Sequence, residues 1–106
     1  MAVVYEVTVT APDEVVAASL ARMAVERRLA ACAQVGGPVV STYRWQGAVE
    51  TAQEWTVVFK TSGPRLAALG AAVRAAHPYD MPEFVATELT GDARYLAWVE
   101  AETADG

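Results

Sequence analysis

Two alternating runs flank a single Gln46-Gly47 dipeptide, and nothing else in the chain restricts its fold so strongly. Val39 to Trp45 reads as strand. Ala48 to Thr61 alternates again, with Trp55, Val57 and Phe59 on one face and Glu54, Thr56, Val58 and Lys60 on the other. Gln46-Gly47 suits a two-residue hairpin turn, which sets Glu50 opposite Tyr43. Residues 39–62 are therefore expected to form one long antiparallel hairpin. At ~3.3 Å per residue a straight strand over 48–62 spans roughly 50 Å. A compact chain of this length has a radius of gyration of ~13 Å, hence a diameter of roughly 33 Å. The hairpin should overhang its own domain. An isolated hairpin is marginal in water, and this one carries Tyr43, Trp45 and Val49 near its tip. Exposed edges with large apolar side chains invite pairing, so identical copies are expected to cover one another's hairpins. The alternative is a break near residue 51 that folds the tip back onto its own domain.

The rest of the chain supplies what backs the hairpin. Val3 to Val9 alternates as a strand. Thr10-Ala-Pro-Asp13 then opens a helix that either Thr10 or Asp13 caps, with a stripe at Val16, Leu20, Met23 and Ala24. Arg27 and Arg28 are expected in its last turn, where cations complement the helix dipole. A second strand begins near Cys32, and Gly36-Gly37-Pro38 marks an edge or a bulge within it. Ser62-Gly63-Pro64 is expected to cap a second helix with its stripe at Leu66, Leu69 and Val73, which must end near His77 because Pro78 follows. After the stiff loop His77–Pro82, Glu83 to Leu89 reads as a strand. A last helix starts at Thr90-Gly91-Asp92, with Tyr95, Leu96, Trp98 and Val99 as its apolar positions. The order β-α-β-β-α-β-α predicts an α+β ferredoxin-like sandwich: a four-stranded antiparallel sheet of order 4-1-3-2, backed by helices. Its 106 residues make one domain over 1–106.

Composition narrows the function. The formal net charge of −5, with acids and bases scattered singly, opposes binding to phosphate backbones and favours a cation or a neutral or basic ligand. One cysteine permits no intrachain disulfide. The first residues lack the pattern of a signal peptide, and no run approaches the ~20 apolar residues of a membrane span, so the cytoplasm is the expected location.

Cys32 and His77 are the soft-metal candidates, without the spacing of a dedicated zinc site. The topology sets them at opposite ends of the sheet. Flanked by alanines, Cys32 reads as a small buried residue. His77 either caps carbonyls at a helix end or, with Asp80 or Glu83, holds a cation weakly. Glu50 needs a partner in an apolar hairpin, either Arg44 or a group from a neighbour. Glu54, Glu83 and Glu88 read as solvated surface. No nucleophile stands beside a base, and Arg44 in a strand without a Gly-rich loop does not make an anion cradle, so no enzymatic reaction is expected.

Several segments together resemble the CutA family of divalent-cation tolerance proteins: Thr10-Ala-Pro-Asp-Glu14, Leu29-Ala-Ala-Cys32, Tyr43-Arg-Trp-Gln-Gly47, Lys60-Thr61, His77-Pro-Tyr-Asp-Met-Pro-Glu83 and Tyr95-Leu-Ala-Trp98. The resemblance implies a fold related to the PII signalling proteins and a cytoplasmic homotrimer packed through its hairpins. It also implies a role in tolerance of copper and other divalent metals, with no established reaction. Cys32 and His77 match its cysteine and His-Pro histidine. Val9 stands where some members carry a second cysteine, and Val73 and Arg74 where some carry another cysteine or histidine, so a thiolate-rich copper site is not expected. The clefts created by the hairpins, with Tyr43, Trp45, Glu50, Lys60, Tyr79 and Glu83, are then the candidate site for a small molecule or partner protein.

Overall fold

Among the described residues seven elements follow one another: β1 (Val4–Ala11), α1 (Glu14–Glu26), β2 (Cys32–Trp45), β3 (Ala48–Ser62), α2 (Gly63–Ala76), β4 (Val85–Glu88) and α3 (Ala93–Glu102). They come from a computed structural model that describes residues 3–104; the first two and last two residues of the expected 1–106 domain lie outside the described residues. The strands make one antiparallel sheet in the order β2-β3-β1-β4, the expected order read from the other edge.

Alternation decides which side chains reach the core. Val7, Val9 and Ala11 of β1, with Val57 and Phe59 of β3, turn toward the helices and bury against Ala17, Leu20 and Ala24 of α1 and Leu69, Ala72 and Val73 of α2. The intervening residues face the other side of the sheet. There α3 covers one end, where Val99 packs with Val4 and Ala31. Asp13, rather than Thr10, caps α1 by accepting from the Val16 amide at 2.8 Å. Arg27 and Arg28 lie just past the helix, not in its last turn. Arg28 takes a left-handed conformation (φ 57°) and the Leu29 amide returns to the Ala24 carbonyl, a closure that turns the chain into β2. Asp92 caps α3 by accepting from the Arg94 and Tyr95 amides. Ser62 precedes α2 without capping it, because its hydroxyl is hydrogen-bonded to that of Thr103 at 2.8 Å. β4 is shorter than the expected 83–89, since it pairs only with Tyr5–Thr8 of β1.

β2 and β3 form the long hairpin. Gln46 (φ 49°) and Gly47 (φ 83°) both adopt the left-handed conformations that a two-residue turn requires, and Tyr43 falls opposite Glu50. The register shifts once, between Gly36 and Val39, at the Gly-Gly-Pro bulge. β1 reaches only from Trp55 to Ser62 of β3, so residues 48–54 have no strand on that side. β3 continues unbroken through residue 51. The molecule is accordingly elongated, 44 × 24 × 21 Å. Val40 (74 % exposed), Tyr43, Trp45 and Val49 stand out along the projecting part.

Candidate functional site

The loop after α2 is fixed by its histidine. His77 is buried, its Nε2 lies 2.7 Å from the Thr10 carbonyl, and its Nδ1 accepts from the Tyr79 amide at 3.1 Å. A nitrogen that accepts carries no hydrogen, so Nε2 carries it and donates to Thr10. Both nitrogens are thereby occupied in holding the loop to the end of β1. The Tyr79 ring follows His77 at a centroid distance of 4.7 Å.

This loop leans over the face of the hairpin opposite α1 and α2, and together they border a cleft of about 870 Å³. Tyr43, Trp45 and Glu50 line it from the hairpin, and Tyr79, Asp80, Met81 and Glu83 from the loop. Glu54 lies at its root and is only 8 % exposed. The Tyr79 hydroxyl donates to Glu54 Oε2 at 2.9 Å. Burial, then that hydrogen bond and the Glu54 charge, push the Tyr79 phenol up to about 12, with smaller contributions from Tyr43 and Asp13. The Tyr43 phenol is also raised, first by desolvation, then by the Glu50 carboxylate and the charge of Glu54.

The hairpin and loop thus bring together Tyr43, Trp45, Glu50, Tyr79 and Glu83. Lys60 is not among them. It shares a face with Glu50 and Glu54, but ten residues along β3 from Glu50 amount to roughly 33 Å. Lys60 instead pairs with Glu6 on β1 at 3.3 Å. Arg44 is not the partner of Glu50: it stands opposite Val49, on the alternate face of its strand, and forms no ion pair among the described residues. Glu54, read from sequence as solvated surface, is the buried carboxylate of the site. The available signal was its position four residues after Glu50, a separation that keeps both on one face of a strand.

Cys32 sits at the other end of the sheet, opposite Lys60. It is half-buried rather than buried, with Sγ 3.4 Å from the Tyr95 hydroxyl of α3. The Cys32 contact, followed by burial, pushes the Tyr95 phenol up to about 12. Through Lys60, Cys32 aligns with Glu6, whereas His77 is bonded at Thr10, four residues further along β1, or roughly 13 Å. Cys32 and His77 therefore do not form one site within a chain. Among the described residues no three His, Cys, Asp or Glu side chains converge as metal ligands, and no helix is long and apolar enough to cross a membrane.

Comparison with known proteins agrees with this architecture. The family model described as CutA1 divalent ion tolerance protein matches residues 5–102. The divalent-cation tolerance protein CutA of Thermus thermophilus is 41 % identical over 98 residues, covering 92 % of this chain and 95 % of that protein. Protein CutA of Mus musculus is 40 % identical over 90 % of this chain, which spans 54 % of the longer mouse protein. The crystal structure of CutA from Xylella fastidiosa superposes with a TM-score of 0.92 at 39 % identity, covering 95 % of this chain and 98 % of that one.

Proposed function

The chain belongs to the CutA1 divalent ion tolerance family, and from that premise we propose that it is a non-enzymatic protein of divalent-cation tolerance that works as a cytoplasmic homotrimer. The observation that carries the assembly is the projecting hairpin. Residues 48–54 lack a strand on one side and expose Val49, while Val40 stands out on the paired strand. Apolar side chains on an open strand edge are stabilised when a second copy covers them. Light scattering on the purified protein is expected to give three times the 11.3 kDa chain mass. A monomer would overturn the reading.

Copper is the cation to test first. His77 has both nitrogens occupied, and no three His, Cys, Asp or Glu side chains converge among the described residues, so a site that uses Cys32 is completed by a neighbouring subunit. Calorimetric titration with Cu(II) is expected to show weak binding that the Cys32→Ala variant loses. Absence of heat from micromolar to millimolar metal removes the direct metal role.

The cleft favours a second reading, a PII-like regulatory trimer that binds a small molecule or a partner at this site. Its volume lies in the range of ligand pockets, ~300–1,000 Å³. A ligand specific for the native state raises the melting temperature. A panel of metabolites screened by thermal shift should therefore contain stabilisers whose effect disappears when Tyr43 or Tyr79 is changed.

A further inference from the structure

The cleft has a chemical character that narrows its occupant. Glu54 at its root is nine-tenths buried, yet among the described residues its side chain accepts from a neutral phenol and takes part in no ion pair. A carboxylate removed from water is costly unless a positive charge compensates it. Glu50, Asp80 and Glu83 add negative charge around the cleft, against a single lining arginine, Arg44. The site therefore suits a cation.

The side chains also indicate which kind. A small, hard metal ion wants several converging oxygen ligands, and no three Asp, Glu, His or Cys side chains converge among the described residues. Tyr43, Trp45 and Tyr79 instead contribute aromatic surface, with Tyr43 and Trp45 each 40 % exposed. Aromatic faces beside a carboxylate attract a cation that is itself weakly hydrated and carries carbon: an alkylammonium or guanidinium group. The volume, about 870 Å³, has room for an organic molecule rather than a bare ion.

We propose that this cleft binds a small organic cation, an alkylammonium or guanidinium compound, with Glu54 as the counter-charge and Tyr43, Trp45 and Tyr79 as the aromatic lining. The proposal rests on the second reading above and names the ligand class of the same site.

The test uses the assembled wild-type protein. Tetramethylammonium and agmatine are titrated with calorimetry and tryptophan fluorescence, with neutral tert-butanol as the size-matched control, while light scattering follows the mass. Both cations are expected to bind and tert-butanol not, with the mass unchanged. Glu54→Gln should weaken the cations by about tenfold or more, and Tyr43→Leu, a change at an exposed strand position, by about threefold or more. Equal binding of tert-butanol, or full affinity in both variants, overturns the proposal. So does a mass that falls as cation is added, which would assign the cleft to a basic side chain of a neighbouring copy. If neutral or anionic compounds stabilise the protein through the cleft while both cations are silent, the ligand class is wrong and the second reading stands. If no compound of any charge binds, both fall.

Discussion

Tyr79 donates its phenolic hydrogen to Glu54 at 2.9 Å, and this bond ties the loop after α2 to the hairpin across 25 positions of sequence. The loop is held at two points, since His77 anchors its first residue to β1. The cleft keeps its shape through these contacts, and both can be removed singly.

Tyr79→Phe deletes the hydroxyl and leaves the buried Glu54 carboxylate without its donor. The expected loss is about 1–3 kcal/mol in denaturant unfolding at fixed protein concentration. Glu54→Ala introduced into the Tyr79→Phe background should cost less than it does alone, because the two residues share one bond. Strict additivity would show that the bond is not formed.

Alkaline pH should loosen the same contact. The Tyr79 and Tyr95 phenols lie near 12 in the folded protein against an ordinary value of 10.0. A raised value means that the folded state holds its proton more tightly than the unfolded chain does. The resulting stabilisation is whole below about pH 10 and is lost as pH rises from about 10 to about 12. Unfolding midpoints should fall across that window, and the fall should be shallower in Tyr79→Phe. Tyrosinate absorbance, followed in parallel, should show one late-titrating phenol fewer in the variant than in the wild type.

His77→Ala removes a donor to the Thr10 carbonyl and the acceptor of the Tyr79 amide in one step. The expected cost is roughly 2–3 kcal/mol, since one bond is to a partly buried carbonyl and the loop also loses its anchor. Hydrogen exchange should localise the change to residues 77–83 and the end of β1. A variant as stable as the wild type would reduce His77 to a surface cap.

Two hairpin glycines should respond differently to alanine. At Gly37 (φ 129°) a new Cβ would lie 3.2 Å from the Glu54 carbonyl oxygen and the Trp55 Cα, both backbone atoms that cannot swing away. At Gly47 (φ 83°) the added atom meets open space. Gly37→Ala should cost at least about 2 kcal/mol and Gly47→Ala about 1 kcal/mol. Thermal unfolding of the two variants gives the ranking directly.

The Glu6–Lys60 pair offers a check on the far end of the sheet. The Lys60 side chain is 15 % exposed, and that of Glu6 is 40 % exposed. After allowance for solvent screening, a double-mutant cycle to alanine should return a coupling of about 0.5–1 kcal/mol that declines with added salt.

Much of this was open to reading in the sequence. The alternation through 48–61, the Gln46-Gly47 turn, the bulge at Gly36-Gly37-Pro38, the end of α2 before Pro78 and the order of the sheet all follow from periodicities and turn chemistry. Each is set by residues within a few positions of one another, because strand and helix periods and the φ limits of glycine and proline are local properties. The placement of Tyr43 opposite Glu50 belongs to the same class, since a two-residue turn fixes register. What the tertiary structure alone decided were the meetings between distant segments. Glu54 and Glu50 look alike in sequence, yet one is buried because the 77–83 loop folds over it. Lys60 shares their face but lies too far along β3 to reach the cleft. His77 and Cys32 are both potential ligands by type, and the sheet sets them apart while Thr10, the Tyr79 amide and Tyr95 take up their contacts. A strand pattern says which way a side chain points; what it meets there depends on where another part of the chain comes to rest.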